Sequence, residues 1–182
     1  MSFLGWSLAI GVPSFALGAW MLACPLAAGR GMTAFGGCRK AAYVLVPIGW
    51  FWTAHALDII GIEFFDKFLK VFPGELWLLA AVLIPLTLAW MPKLLAMRGL
   101  SAILMLYPAV FFQCARQVES GGRLVAVAWT YVLLSLGMYA MFYPWRVQKA
   151  IEWLAAASWR MRAAGALFAG AGAAVAVAAF LV

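Results

Sequence analysis

The chain predicts an all-α fold: a polytopic helix bundle in a membrane, with about six spans and two short amphipathic helices at the interface. Three observations carry this. Apolar residues fill 68% of the 182 positions and charged residues only 10%, with a mean hydropathy of +1.01. A water-soluble domain cannot hide that much apolar surface. The apolar residues form continuous runs of about 20, the length that crosses the hydrocarbon core as a helix. A transmembrane barrel would show alternating segments of ~10 residues instead. Finally, the basic residues gather in the short connectors between the runs.

The first predicted span covers 3–27, with Pro13 inside and Trp6 and Trp20 near its ends. No basic residue precedes it, the first being Arg30, so it reads as a retained span and not a cleaved signal. The stretch GRGMTAFGGCRK after it is glycine-rich and reads as a flexible loop. The second span covers 41–62 and carries Pro47, Trp50, Trp52, His55 and Asp58. Next, Phe64, Phe65, Phe68 and Phe72 share one helical face, with Asp66, Lys67 and Lys70 opposite. That pattern predicts an interfacial helix over about 64–72, ended by Pro73-Gly74.

The third span covers 76–97, with Pro85 inside, and the fourth 100–115, with Pro108. The fourth is short, within what tilt or local thinning absorbs. A Ser-Gly-Gly turn leads to the fifth span, 124–143, whose far end is crowded with Tyr139, Phe142, Tyr143 and Trp145. A second interfacial helix is predicted over about 145–160, opening at Pro144 and anchored by Trp145 and Trp153. The sixth span covers 163–182, where Gly165, Gly170 and Gly172 would let a neighbouring helix approach closely. The whole of 1–182 forms a single membrane domain on this reading, because no connector is long enough for a soluble one.

With six spans, the connectors after the odd ones hold nine Lys and Arg, against four after the even ones. Basic connectors stay cytoplasmic. The expected threading puts both termini outside, in a bacterial inner membrane, with the basic side toward anionic headgroups. The net charge of +7 is then a property of topology, and nucleic acid is not an expected partner.

Candidate chemistry concentrates between Trp50 and Glu75. This stretch holds the only histidine and four of the six acidic residues: Asp58, Glu63, Asp66 and Glu75. His55 and Asp58 are three apart and share a face with Trp52. With Glu63 they form the candidate polar site, ~6–10 Å inside the outer end for Asp58 and His55. Two readings stay open: a pair that fixes packing through a hydrogen bond, or a proton-handling pair. One histidine and one aspartate do not make a metal site, and haem would lack a second histidine. Cys24, Cys38 and Cys114 form no paired motif. No serine lies in a nucleophile elbow, so no catalytic residue and no cofactor are predicted.

The expected function is therefore that of a non-catalytic multi-pass protein. It would be an accessory or scaffold subunit of a membrane assembly, packing against other membrane subunits or against itself. The alternative is a small channel or carrier for protons, cations or a small solute, with Asp58 and His55 near its outer mouth. A third reading is a membrane-bound enzyme acting on a lipid or isoprenoid at the outer interface, with His55 and Asp58 as base and acid.

Overall fold

A computed structural model describes residues 3–60, 75–90 and 94–180, with side chains given for all of these except 56–60 and 75–77. Among the described residues the secondary structure is helical throughout, in eight helices: α1 (Phe3–Ala23), α2 (Pro25–Phe35), α3 (Arg39–Ile60), α4 (Glu75–Trp90), α5 (Leu95–Ala115), α6 (Gly121–Phe142), α7 (Pro144–Ala155) and α8 (Ser158–Phe180). Four of them, α1, α5, α6 and α8, are long and apolar enough to cross a membrane. The chain is a membrane protein. The predicted interfacial helix at 64–72, with Phe64, Phe65, Phe68 and Phe72, lies outside the described residues.

The six longer helices alternate in direction. Gly18 of α1 meets Gly165 and Ala169 of α8, and Gly11 meets Gly172 and Ala176, so α1 and α8 are antiparallel. On α5, Tyr107 packs against Trp6 and Phe111 against Phe3, both with ring centroids 5.7 Å apart, so α1 and α5 are antiparallel too. Gly99 of α5 lies against Leu45 and Val46, and Gly49 against Ala102, so α3 and α5 run parallel. Gly137 of α6 meets Ser101 and Leu104, while the Phe112 ring lies tilted against that of Tyr131 at 4.8 Å, so α5 and α6 are antiparallel. Leu88 and Ala89, at the end of α4, line one recess with Arg39 and Ala42, at the start of α3, and Trp50 bonds to Thr87, so α4 lies antiparallel to α3. Hence α1, α4 and α6 run one way and α3, α5 and α8 the other.

That alternation gives the bundle two distinct ends. The connector end holds α2, Leu94 and α7. The terminal end holds the starts of α1, α4 and α6 and the 116–120 turn. Arg30, Arg39, Lys40, Arg98, Arg146, Lys149, Arg160 and Arg162 lie toward the connector end, and Arg116 and Arg123 at the other. The core sits mainly between α1, α5, α6 and α8, where Phe3, Tyr107, Phe111, Trp129, Leu133 and Val175 are buried together.

Several expected boundaries move. Residues 29–35, read as a flexible loop, are helix. Pro25 stands in the first turn of α2, where its fixed φ favours helix initiation. The glycines there serve packing: Gly29 lies against Ala155, and Gly31 lies under the Trp20 ring. The third span ends early, at Trp90, and Met97 belongs to α5. In the sequence a proline, Pro92, stands between the two helices, and the residue before a proline disfavours the helical region. Leu94 then takes a left-handed φ of 56° before α5 begins. The fourth span is therefore 21 residues rather than a short one. The second amphipathic helix is shorter than expected. It ends at Ala155, and 158–160 open the last long helix.

Candidate functional site

Of the predicted polar site, Trp52 and His55 are the residues whose side chains are described. Trp52 turns toward α1, its ring 6.1 Å from that of Trp6, and its Nε1 is buried with no hydrogen-bond partner among the described residues. His55, three residues on, is exposed. Asp58 stands in the last turn of α3, with its side chain outside the described set, and Glu63 lies outside it altogether. Among the described residues no three His, Cys, Asp or Glu side chains come close enough to hold a metal ion.

The small-residue contact is more specific than glycine content indicated. Gly165 faces Gly18 and Met21, and Gly172 faces Gly11 and Phe15, at backbone-to-backbone distances that leave no room for a side chain. Gly170, expected in the same contact, faces open space. The physical reason is helical register. Positions 165, 169 and 172 follow one stripe at 3.6 residues per turn, and 170 falls off it. On α1 the matching stripe is Ser7, Gly11, Ser14, Gly18 and Met21, all buried. Ser14 Oγ accepts a bond of 3.2 Å from Trp129 Nε1 of α6, tying a third helix to the pair. Tyr107 donates its hydroxyl proton to the Trp6 carbonyl oxygen, joining α5 to α1.

At the connector end α2 and α7 dock on one another. Gln148 Nε2 donates to the Thr33 carbonyl oxygen at 3.0 Å and also to Glu152 Oε1 at 3.3 Å. Gly36 makes room for the Gln148 side chain. Trp145 and Trp153, the predicted anchors, are both exposed on α7. Cations lie over their rings: Arg146 at 5.1 Å and Lys149 at 5.9 Å over Trp145, and Arg160 at 4.3 Å over Trp153. Arg160 also donates to the Trp153 carbonyl oxygen at 3.3 Å, satisfying one of the carbonyls that a helix end leaves open. The result is a platform of aromatic rings and held cations, the combination that suits a membrane–water interface.

A recess that the sequence did not disclose is a groove of ≈ 440 Å³ on the α3–α5 pair, flanked by α4 and the end of α6. Gly49, Gly99 and Ala102 line it with small residues, Met141 and Phe142 close one side, and Arg98 stands in it one turn into α5. Trp50 Nε1 donates to Thr87 Oγ1 at 3.1 Å. The hydroxyls are committed within their own helices: Thr87 donates to the Leu83 carbonyl oxygen, and Thr53 to that of Gly49 at 2.7 Å. A second, smaller recess of ≈ 240 Å³ lies beside it, lined by Arg39 and sharing Leu95 as a common wall. The signals in the sequence were the hydroxyls of Thr53 and Thr87 within apolar runs, and Arg98, read as a connector residue.

Comparison of the chain with known protein families, curated proteins and solved structures finds no match.

Proposed function

We propose that the chain is a non-catalytic accessory or scaffold subunit of a membrane assembly, that its six longer helices all cross the bilayer, and that its connector end is cytoplasmic. The observation that carries this is the α2–α7 platform. Two short helices are locked together by Gln148, and exposed tryptophans and held cations face outward from them. That arrangement supports docking on an anionic leaflet or on another subunit's interfacial surface. The interior supports the same reading. Its buried polar residues among those described are Ser7, Ser14, Ser101 and Thr130. Ser101 and Thr130 spend their hydroxyls on carbonyls of their own helices, at 2.7 and 2.8 Å. Groups committed in this way shape helix packing rather than reactions.

The gathering of basic residues at the connector end supports its cytoplasmic placement, by the same bias that orients membrane proteins generally. Both described chain ends then face outward. The test is purification from its native membrane in mild detergent, followed by native mass spectrometry. A stoichiometric protein partner that is lost on Arg146→Glu with Lys149→Glu, while His55→Ala and Asp58→Asn keep it, is the expected result. A chain that purifies alone and moves protons or solute across liposomes in an Asp58-dependent way would overturn the reading in favour of a carrier.

A further inference from the structure

We propose that the outer face of α7 and the first turn of α8 bind the headgroups of an anionic phospholipid leaflet, with α7 lying along the membrane surface. This rests on the reading above that the connector end lies at a membrane face, and it commits the platform to lipid as its first contact. The 12-residue helix continues neither neighbour. The backbone leaves the helical region at Tyr143 (φ −127°, ψ 56°), and α7 stops at Ala155 before α8 opens at Ser158. Its two sides differ. Inward, Gln148 holds the Thr33 carbonyl, while Leu154 and Ala155 pack against Met21, Ala28 and Met161. Outward, Trp145, Lys149 and Trp153 follow one another at four-residue steps, so the two indoles stand ~12 Å apart along the axis. Trp145 is 49% exposed, Trp153 57%, and Trp159, in the first turn of α8, 67%.

The charge on this face is uncompensated. Between 143 and 162 the chain carries Arg146, Lys149, Arg160 and Arg162 against a single acid, Glu152, which accepts a bond from Gln148. The cations rest on rings. Arg146 lies 5.2 Å from the Tyr143 ring and 5.1 Å from that of Trp145, which Lys149 also approaches at 5.9 Å. A ring steadies a cation without neutralising it or consuming its N–H donors. Among the described residues neither Arg146 nor Lys149 donates a hydrogen bond, so their N–H groups remain for phosphate oxygens. Arg160 lies over Trp153 at 4.3 Å and Trp159 at 5.5 Å, and gives one N–H to the Trp153 carbonyl. Exposed indoles suit the headgroup layer, where the apolar ring is covered and its N–H stays wet. An acidic soluble segment would meet the cations and leave the indoles in water. A neutral leaflet would take the indoles and leave the cations unpaired. An anionic leaflet satisfies both.

The experiment places the full chain in nanodiscs of phosphatidylcholine alone, and in nanodiscs of equal phosphatidylglycerol and phosphatidylcholine. Amide exchange is then followed by mass spectrometry. Exchange across 144–160 is expected to slow about fivefold or more with phosphatidylglycerol, the equivalent of one cation's attraction to an anionic surface. Exchange across 124–142 of α6 should not change. Arg146→Gln with Lys149→Gln should remove the difference and leave exchange in phosphatidylcholine as in the wild type. Both side chains are exposed, and unchanged exchange in the long helices checks that the variant is folded. Equal exchange in the two lipid mixtures, or slowing that survives the double variant, would overturn the leaflet contact. The accessory role is scored separately, by the partner retained from the native membrane. A partner without a lipid response overturns the leaflet contact alone, whereas a lipid response without a partner upholds it and sinks the accessory role.

Discussion

Replacing Gly18 with alanine puts a methyl carbon 2.2 Å from the Ala169 backbone nitrogen and 2.6 Å from the Gly165 carbonyl oxygen. Neither atom can swing aside, because both belong to the α8 backbone. To reach an ordinary contact of 3.4 Å, the two helices must separate by about 1.2 Å at this crossing. A gap of ~0.5–1 Å already forfeits a quarter to a half of each close contact, so the neighbouring crossing of Gly11 with Gly172 loosens as well. The cost should be about 1–3 kcal/mol, the usual range for overpacking. For a chain of this length ~2 kcal/mol lowers the melting temperature by about 4–8 °C. Gly170→Ala is the matched control. Its added methyl meets nothing within 4 Å, and alanine is favoured over glycine inside a helix by up to ~1 kcal/mol. The two variants should therefore move in opposite directions when detergent-solubilised protein is heated and followed by size-exclusion fluorescence. If Gly18→Ala melts with the wild type, α1 and α8 do not meet in this register and the packing argument fails.

Trp129→Phe removes the donor to Ser14 Oγ and should cost about 1–2 kcal/mol by stranding a buried hydroxyl. In a double-mutant cycle with Ser14→Ala the combined loss should be less than additive, and strict additivity would show that the bond contributes nothing. Gln148→Ala should uncouple α7 from α2, read as faster amide exchange across 144–155 with little change in the long helices; unchanged exchange would assign the docking to other contacts. Arg123 Nη1 donates to the Val118 carbonyl at 2.6 Å and the Ala115 carbonyl at 3.3 Å. Arg123→Gln should therefore expose the C-terminal turn of α5 to exchange. Cys38 and Cys114 sit near opposite ends of the bundle. In single-cysteine variants an impermeant maleimide should reach Cys38 from the cytoplasmic side and Cys114 from the outside of sealed vesicles; the reverse pattern would invert the proposed threading.

Composition and run length were enough to read an all-helical membrane protein, because hydrocarbon leaves a helical chain few alternatives for its backbone polar groups. The limits of individual elements were less legible. Glycines between Gly29 and Gly37 gave a loop signal, yet Gly29 and Gly31 are helical positions where a neighbour's side chain presses close. Glycine as a breaker and glycine as a contact look the same in one dimension. The same ambiguity separates Gly170 from Gly165 and Gly172, and only the register of the partner helix resolves it. His55 and Trp52 were grouped by a spacing of three, but the partner α1 takes Trp52 and leaves His55 exposed. The groove was not legible as a site, although the hydroxyls of Thr53 and Thr87 stand out within apolar runs. It is built from four helices, and no local pattern marks residues that meet only after folding.

The antiparallel pairing of α1 with α8 has a consequence for how the molecule is made. The first described helix finds its most intimate neighbour in the last one, with nearly the whole chain synthesised between them. At ~5–20 residues per second, α1 waits on the order of ten seconds or more before α8 arrives. Through that interval Gly11 and Gly18 lack the α8 backbone they pack against, although α6 arrives earlier to bond Ser14. A nascent chain stalled before α8 should therefore expose this stripe, and it is there that a membrane chaperone or quality-control protease would distinguish an unfinished bundle from a closed one.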